Sequence, residues 1–232
     1  MIDFVDLGRD RLRAMAAAGA DVVECERVLD KADANVVGEL LPADGTFYEF
    51  DHCPPGDIYD SETGSQYYYH AHRPGEHGHF HTFLRAAGMP DGLTPVLQSV
   101  VPDMAERDDA ISHLIAISMD NAGAPIALFT TNRWLTGENW YKAADVEAML
   151  DRFEIDHAQA SWPTNIWIGA MLRLFRPQIV DLLYQRDAAV ADLVAAQPEK
   201  DVFEDRDVDA LSYRAISIAD QIQAVDAALK RL

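Results

Sequence analysis

The hydrophobic pattern changes period twice along the chain. Apolar residues three and four apart line one side of a helix, whereas alternating ones line one face of a strand. Phe4, Leu12 and Met15 predict a helix over about 3–18, and Gly19 interrupts it. Asp21 followed by Glu24 reads as a capping box. It opens a second helix to about Val37, with Val22, Val28, Leu29, Ala32 and Val36 inside and Gly38 and Pro42 beyond its end.

The middle of the chain favours strands. Thr46–His52 predicts one, with Phe47 and Phe50 apolar; the polar run from Cys53 to Gly64 predicts a surface loop and a candidate lid. Tyr67, Tyr68 and Tyr69 before a Pro74-Gly75 reversal, and Phe80, Thr82 and Phe83 after it, predict a hairpin. Residues 86–108 carry too many breakers to predict an element. Ser112–Asp120 and Pro125–Asn132 predict a second hairpin turning at Asn121-Ala-Gly-Ala, which extends the first sheet.

Helical spacing then returns. Val146, Met149, Leu150 and Phe153 predict one helix, Pro163 opens a second and Pro177 a third to about Ala196. After a polar break from Gln197 to Asp207, the residues Leu211, Ala215, Ile218, Ile222, Val225, Leu229 and Leu232 follow steps of four and three. Such a seam pairs with the helix after Pro177 or with a second copy, giving a homodimer through the C-terminal helix. The pattern predicts an α+β fold in a single domain over residues 1–232. A central antiparallel sheet or partly closed barrel (about 46–132) is flanked by helical parts at about 1–41 and 143–232.

Charge narrows the function classes. Nineteen basic residues against 39 acidic ones give a net charge of −20, which argues against nucleic acid and anionic membrane surfaces as partners. No apolar run approaches the ~20 residues of a membrane span. The N-terminal stretch is charged from its third residue and lacks the layout of a signal peptide, so a cytoplasmic protein is expected. Of the two cysteines, Cys25 reads as core, and Cys53 lies close enough to the first hairpin in sequence to be an extra metal ligand; no disulfide is expected.

The candidate chemistry lies in that hairpin. Five of the eight histidines fall between His70 and His81, in two H-x-H pairs, His70/His72 and His79/His81. Each pair shares a strand face. Opposing His72 to His79 and His70 to His81 puts all four on one surface, and a slip of one residue separates them. Neutral imidazoles make poor core and good ligands for Zn, Fe, Ni or Cu. His70, His72, His79 and His81 are therefore the candidate metal ligands, with a divalent transition metal, Zn or Fe, as cofactor. A hydrogen-bonded polar cluster is the alternative.

Around them, Glu76 is the candidate catalytic acid or base, or an oxygen ligand. His77 at the turn apex is expected in solvent. His113 has a route to the cluster as a ligand or as a polar strand residue. Arg73 and Arg85 are candidate anchors for an anionic substrate group, and Trp134 and Tyr141 candidate substrate-binding walls; packed core plugs at Trp134 and Trp140 are the other reading.

Gly64, His70, His72 and Glu76 resemble the first metal motif of the cupin barrels, a glycine, an H-x-H and a carboxylate. That resemblance implies a metal held by the two histidines and the carboxylate, with a further histidine from a second motif, for which His113 is the stand-in. The glycine that follows the carboxylate in cupins is absent here, and His79 and His81 come from the very next strand. The Glu76–His81 stretch is also similar to that of uncharacterised bacterial proteins, which implies no activity. The expected function is a mononuclear metal-dependent enzyme, of hydrolase, lyase or oxygenase type, acting on a small molecule. Its competitors are a non-enzymatic metal- or ligand-binding protein and a polar-cored structural protein.

Overall fold

The computed structural model describes residues 4–42, 48, 51–73, 75–99 and 109–232. After a short 3-10 turn at Phe4–Leu7, a long helix α1 spans Arg9–Asp30. Six strands follow: β1 Cys53–Tyr59, β2 Ser65–His70, β3 Gly78–Arg85, β4 Ile111–Met119, β5 Pro125–Thr131 and β6 Ala210–Ala215. Between β5 and β6 lie α2 Arg133–Thr136, α3 Ala143–Leu150, α4 Trp162–Leu174 and α5 Arg176–Ala196; α6, Ile218–Arg231, closes the chain.

The strands form one antiparallel sheet in the order β1-β2-β3-β4-β5-β6. The sheet is open, with β1 and β6 as its edges, so of the two expected forms the antiparallel sheet is the one found. The fold is α+β, with the helices contributing one side of the core. Tyr67, Tyr69, Phe80, Leu84, Ile115, Ile117 and Leu128 point to that side and pack with residues of α1, α3, α4 and α5. Trp167 of α4 is fully buried, its ring 5.9 Å from Phe80. Tyr67 and Asn165 satisfy each other on this side: the Tyr67 hydroxyl donates to Asn165 Oδ1 at 2.6 Å, and Asn165 Nδ2 donates to the His157 and Gln159 carbonyls.

Three regions depart from expectation. The N-terminal region has one helix through Gly19 where two were expected, and it ends at Asp30 rather than Val37. Asp21 is therefore mid-helix and caps nothing. A Cβ at Gly19 would lie 3.0 Å from Ile222 Cγ1, so glycine lets α6 approach closely at that turn. Its helix-propensity cost of about 1 kcal/mol is offset by the packing.

The polar run from Cys53 is an edge strand where a loop and lid were expected. Its pairing with β2 jumps from Cys53↔Tyr69 to Ile58↔Tyr67, and Gly56 and Asp57 have positive φ inside that bulge. Prolines are tolerated there because an edge strand need not donate on its free side. The strand expected over Thr46–His52 lies largely outside the described residues.

The last correction concerns the C-terminal seam. Leu211 and Ala215 belong to β6, which pairs with β5. Helical spacing holds only from Ile218, where Ser217 caps α6 by accepting from the Asp220 amide. Val225, Ala228 and Leu229 pack against Leu12 and Met15 of α1 rather than along the helix after Pro177. That apolar face is thus covered within the chain. No helix among the described residues is long and apolar enough to cross a membrane.

Candidate metal centre

The face of the sheet away from the main core carries the histidines. In β2 and β3 the pairs are His70↔His79, Tyr69↔Phe80 and Tyr68↔His81. The expected register, His72 opposite His79, is off by two residues. An even slip preserves the face, because opposed residues point the same way and side chains alternate. His70, His79 and His81 therefore project together, and His72 joins them from the connection after β2. Glycine at position 78 permits the tight pairing: a Cβ there would lie 2.5 Å from the Tyr69 hydroxyl and 2.6 Å from the His70 carbonyl oxygen.

The rings converge. His70 Nε2 lies 2.8 Å from His79 Nε2 and 3.1 Å from His81 Nε2. One ligand nitrogen each from His70, His72 and His79 falls within 4.8 Å of the others, a grouping able to hold a metal ion. Nitrogens bound tetrahedrally to zinc sit about 3.3 Å apart, from Zn–N bonds of about 2.0–2.1 Å. The His70–His79 and His70–His81 spacings are near that value. Nitrogen lone pairs this close repel unless a proton or a cation lies between them.

The surrounding groups set which nitrogens carry lone pairs. Glu76, in the turn before β3, has Oε1 2.5 Å from His79 Nδ1. Its other oxygen accepts from the Ser118 hydroxyl of β4. An ionised carboxylate only accepts, so Nδ1 of His79 carries the proton and Nε2 offers a lone pair to the cluster. Burial alone pushes the Glu76 carboxyl up, but the bonds from His79 and Ser118 outweigh it and hold the group below the usual range. On the other side, His81 Nδ1 lies 3.0 Å from His113 Nε2. His113 reaches it because β4 shifts register between Ile115 and His113, opposite Thr82 and Phe83. Unbroken alternation from Ser118 and Ala116 would place His113 on the helix side.

The imidazoles stay neutral. Burial, then repulsion from His79, takes His70 down to about 2. Burial and the Arg186 charge take His113 to about 3. His72, His79 and His81 are lowered as well, in each case chiefly by burial. Neutral nitrogens are the form that binds metals. His70 Nδ1 is buried and has no hydrogen-bond partner among the described residues.

Further groups surround this core. Tyr68 is buried between His52, stacked at 3.6 Å, and Phe83 at 5.5 Å. His52 Nδ1 lies 2.7 Å from Asp57 Oδ1, Asp57 accepts from Gln66 Nε2, and Gln66 Oε1 accepts from Arg85 Nε. Neither His52 nor this chain of bonds was signalled by spacing, because β1 folds the 52–57 stretch back over β2 from outside the hairpin. Beneath His113, the buried Glu138 accepts from the His113 amide at 2.6 Å and from Thr136. Burial raises its carboxyl to about 7 despite the neighbouring Arg186.

The remaining candidates separate. Arg73 stacks on Phe129, its Cζ 4.2 Å from the ring centroid, and Phe129 lies 5.1 Å from the His79 ring. Trp134 is anchored on the Val208 carbonyl, and Tyr141 is buried in the main apolar core. Trp140 is buried under the Arg186 guanidinium at 4.3 Å. His77 is half-buried rather than solvated, its Nδ1 2.6 Å from the Tyr69 hydroxyl. Cys53 opposes Tyr69 and packs in the helix-side core, so it cannot serve as a ligand to imidazoles on the other face. Both cysteines are buried free thiols.

The cupin resemblance is limited to its short motif, since the sheet is an open sequential meander and the family found by comparison is a different one. No curated protein and no solved structure matches the chain. The family model of DUF6969, a domain of unknown function, matches residues 16–216, a span that includes every histidine of the cluster, and the chain belongs to that family.

Proposed function

We propose that the chain binds one divalent transition metal, Zn or Fe, through His70, His72 and His79, and uses it to act on a small molecule. The observation that carries this reading is the pairing of His79 with Glu76, which turns the His79 Nε2 lone pair toward His70 in a neutral trio whose His70 and His79 are buried and His72 half-buried. A carboxylate behind a ligand imidazole is the usual way to orient it and raise its basicity. Three protein ligands leave a position for water or substrate. A metal-bound water of lowered pKa suits hydrolysis or elimination, and a redox-active iron suits oxygen chemistry. In this arrangement Glu76 orients His79 and holds a proton at its Nδ1.

A second reading is favoured by His81, whose Nε2 is 3.1 Å from that of His70. Were it a fourth ligand, the set would be closed, as in a non-enzymatic binding protein.

The test is elemental analysis of the purified protein followed by X-ray absorption on the metal-loaded form. One ion per chain, lost in the His70→Ala/His72→Ala double variant, is the expected result. An unchanged metal content in that variant would reject the site. Three nitrogens plus an exchangeable oxygen favour the enzyme; four nitrogens favour the binding protein.

A further inference from the structure

Arg73 places a positive charge beside the histidine cluster, close enough to disfavour protonation of His72 and His79. Its guanidinium is stacked on Phe129, and Phe129 is edge-on to His79. Its Nη1 is buried and, among the described residues, has no hydrogen-bond acceptor and no ion-pair partner. Glu76 feels the Arg73 charge, but its two oxygens are engaged by His79 and Ser118. A buried guanidinium N–H without an acceptor is costly, and such orphaned donors mark places where a ligand completes the set. With its Cζ over the Phe129 ring, the guanidinium keeps its N–H donors at its edge, the fork that recognises planar oxyanions.

Resting on the metal reading above, we propose that Arg73 and the ion held by His70, His72 and His79 together bind a small organic carboxylate. The carboxylate meets Arg73 Nη1, and a second polar atom of the same molecule takes the open position on the ion, with Phe129 as the apolar wall between. A carboxylate is favoured over phosphate by shape: a planar two-oxygen group fits one guanidinium edge beside the Phe129 ring, and the ionised Glu76 near Arg73 repels added negative charge.

Cobalt(II) serves as the spectroscopic ion, and cobalt content is measured on each sample before any anion is added. Glycolate titrated into the cobalt-loaded protein is expected to shift the visible bands saturably. Inorganic phosphate should bind more weakly. Arg73→Gln should weaken glycolate at least tenfold with cobalt content unchanged, and Arg73→Lys should recover part of that loss. Equal glycolate affinity in Arg73→Gln, no glycolate response with cobalt bound, or tighter binding of phosphate would each overturn the proposal. If cobalt is not taken up, it is the metal reading that fails. Glycolate is then titrated into the metal-free protein and followed by NMR of the arginine side chains. Binding that disappears in Arg73→Gln sustains the carboxylate site, and no binding overturns it.

Discussion

The Glu76 carboxylate and the His79 imidazole meet at 2.5 Å through Oε1 and Nδ1. The two residues are three apart in a tight turn, yet their contact sets the direction of the lone pair on the far side of the ring. Glu76→Gln keeps the shape and removes the charge. We expect metal affinity to fall about 10- to 100-fold, the usual effect of losing such a partner, with little change in the fold. Competition against a chelator of known affinity measures it, and an unchanged constant would remove Glu76 from this role.

Acid should destabilise the metal-free protein well above the carboxylate range. His70 and His113 titrate at about 2 and about 3 when folded, against 6.5 as the unperturbed value. Below about pH 6.5 the unfolded chain therefore binds protons that the native one does not, so stability falls as pH falls. Each such histidine contributes a slope of at most about 1.4 kcal/mol per pH unit. Glu138 acts in the opposite sense between about 4.5 and 7 but is one group against several. Urea midpoints at pH 7.5, 6.5 and 5.5 should decline in that order. A flat series would mean the imidazoles are not held neutral.

Glu138 gives a prediction of opposite sign. A carboxyl raised to about 7 by burial contributes stability that is present below its unfolded value and lost as pH rises through 7. Glu138→Gln retains an acceptor for the His113 amide and has no charge to bury. At pH 8 the variant should be more stable than the wild type by about 1–3 kcal/mol. That margin should shrink toward pH 5. Denaturation at the two pH values checks it, and a less stable variant at pH 8 would contradict the assignment.

Gly78 is a steric test of the hairpin. An added methyl would sit 2.5 Å from the Tyr69 hydroxyl and 2.6 Å from the His70 carbonyl. Overpacking against backbone of this kind costs about 1–3 kcal/mol or more. Gly78→Ala should lower the thermal midpoint and weaken metal binding together, because the same displacement separates His70 from His79. Thermal unfolding with and without added zinc reads both. A variant as stable as the wild type would show that the β2–β3 pairing is looser than described.

Several features were legible in the residue order because they depend on local periodicity. The strands β2 to β5 and the helices opened by Pro163 and Pro177 follow from the spacing of apolar residues and from turn chemistry. The shared face of the histidine pairs survived even an incorrect register, since a shift of two residues returns every side chain to its side. Periodicity failed where a residue's reason lies elsewhere in the chain. Gly19 looks like a break until Ile222 is seen against it. Leu211 and Ala215 look helical, but the open edge of β5 needed a partner. Cys53–Tyr59 reads as loop from its prolines and glycine, and the bulge that reconciles them with a strand appears only on pairing.

By itself, then, the sequence determined an α+β chain with a histidine-bearing hairpin, because side-chain alternation is a property of the backbone and needs no neighbours. Tertiary structure decided which lone pairs converge. The shifted register that turns His113 toward His81, the reach of Ser118 to Glu76, and the stacking of Arg73 on Phe129 all join segments 30 or more residues apart. Such contacts exist only once the sheet has brought β2, β3, β4 and β5 side by side.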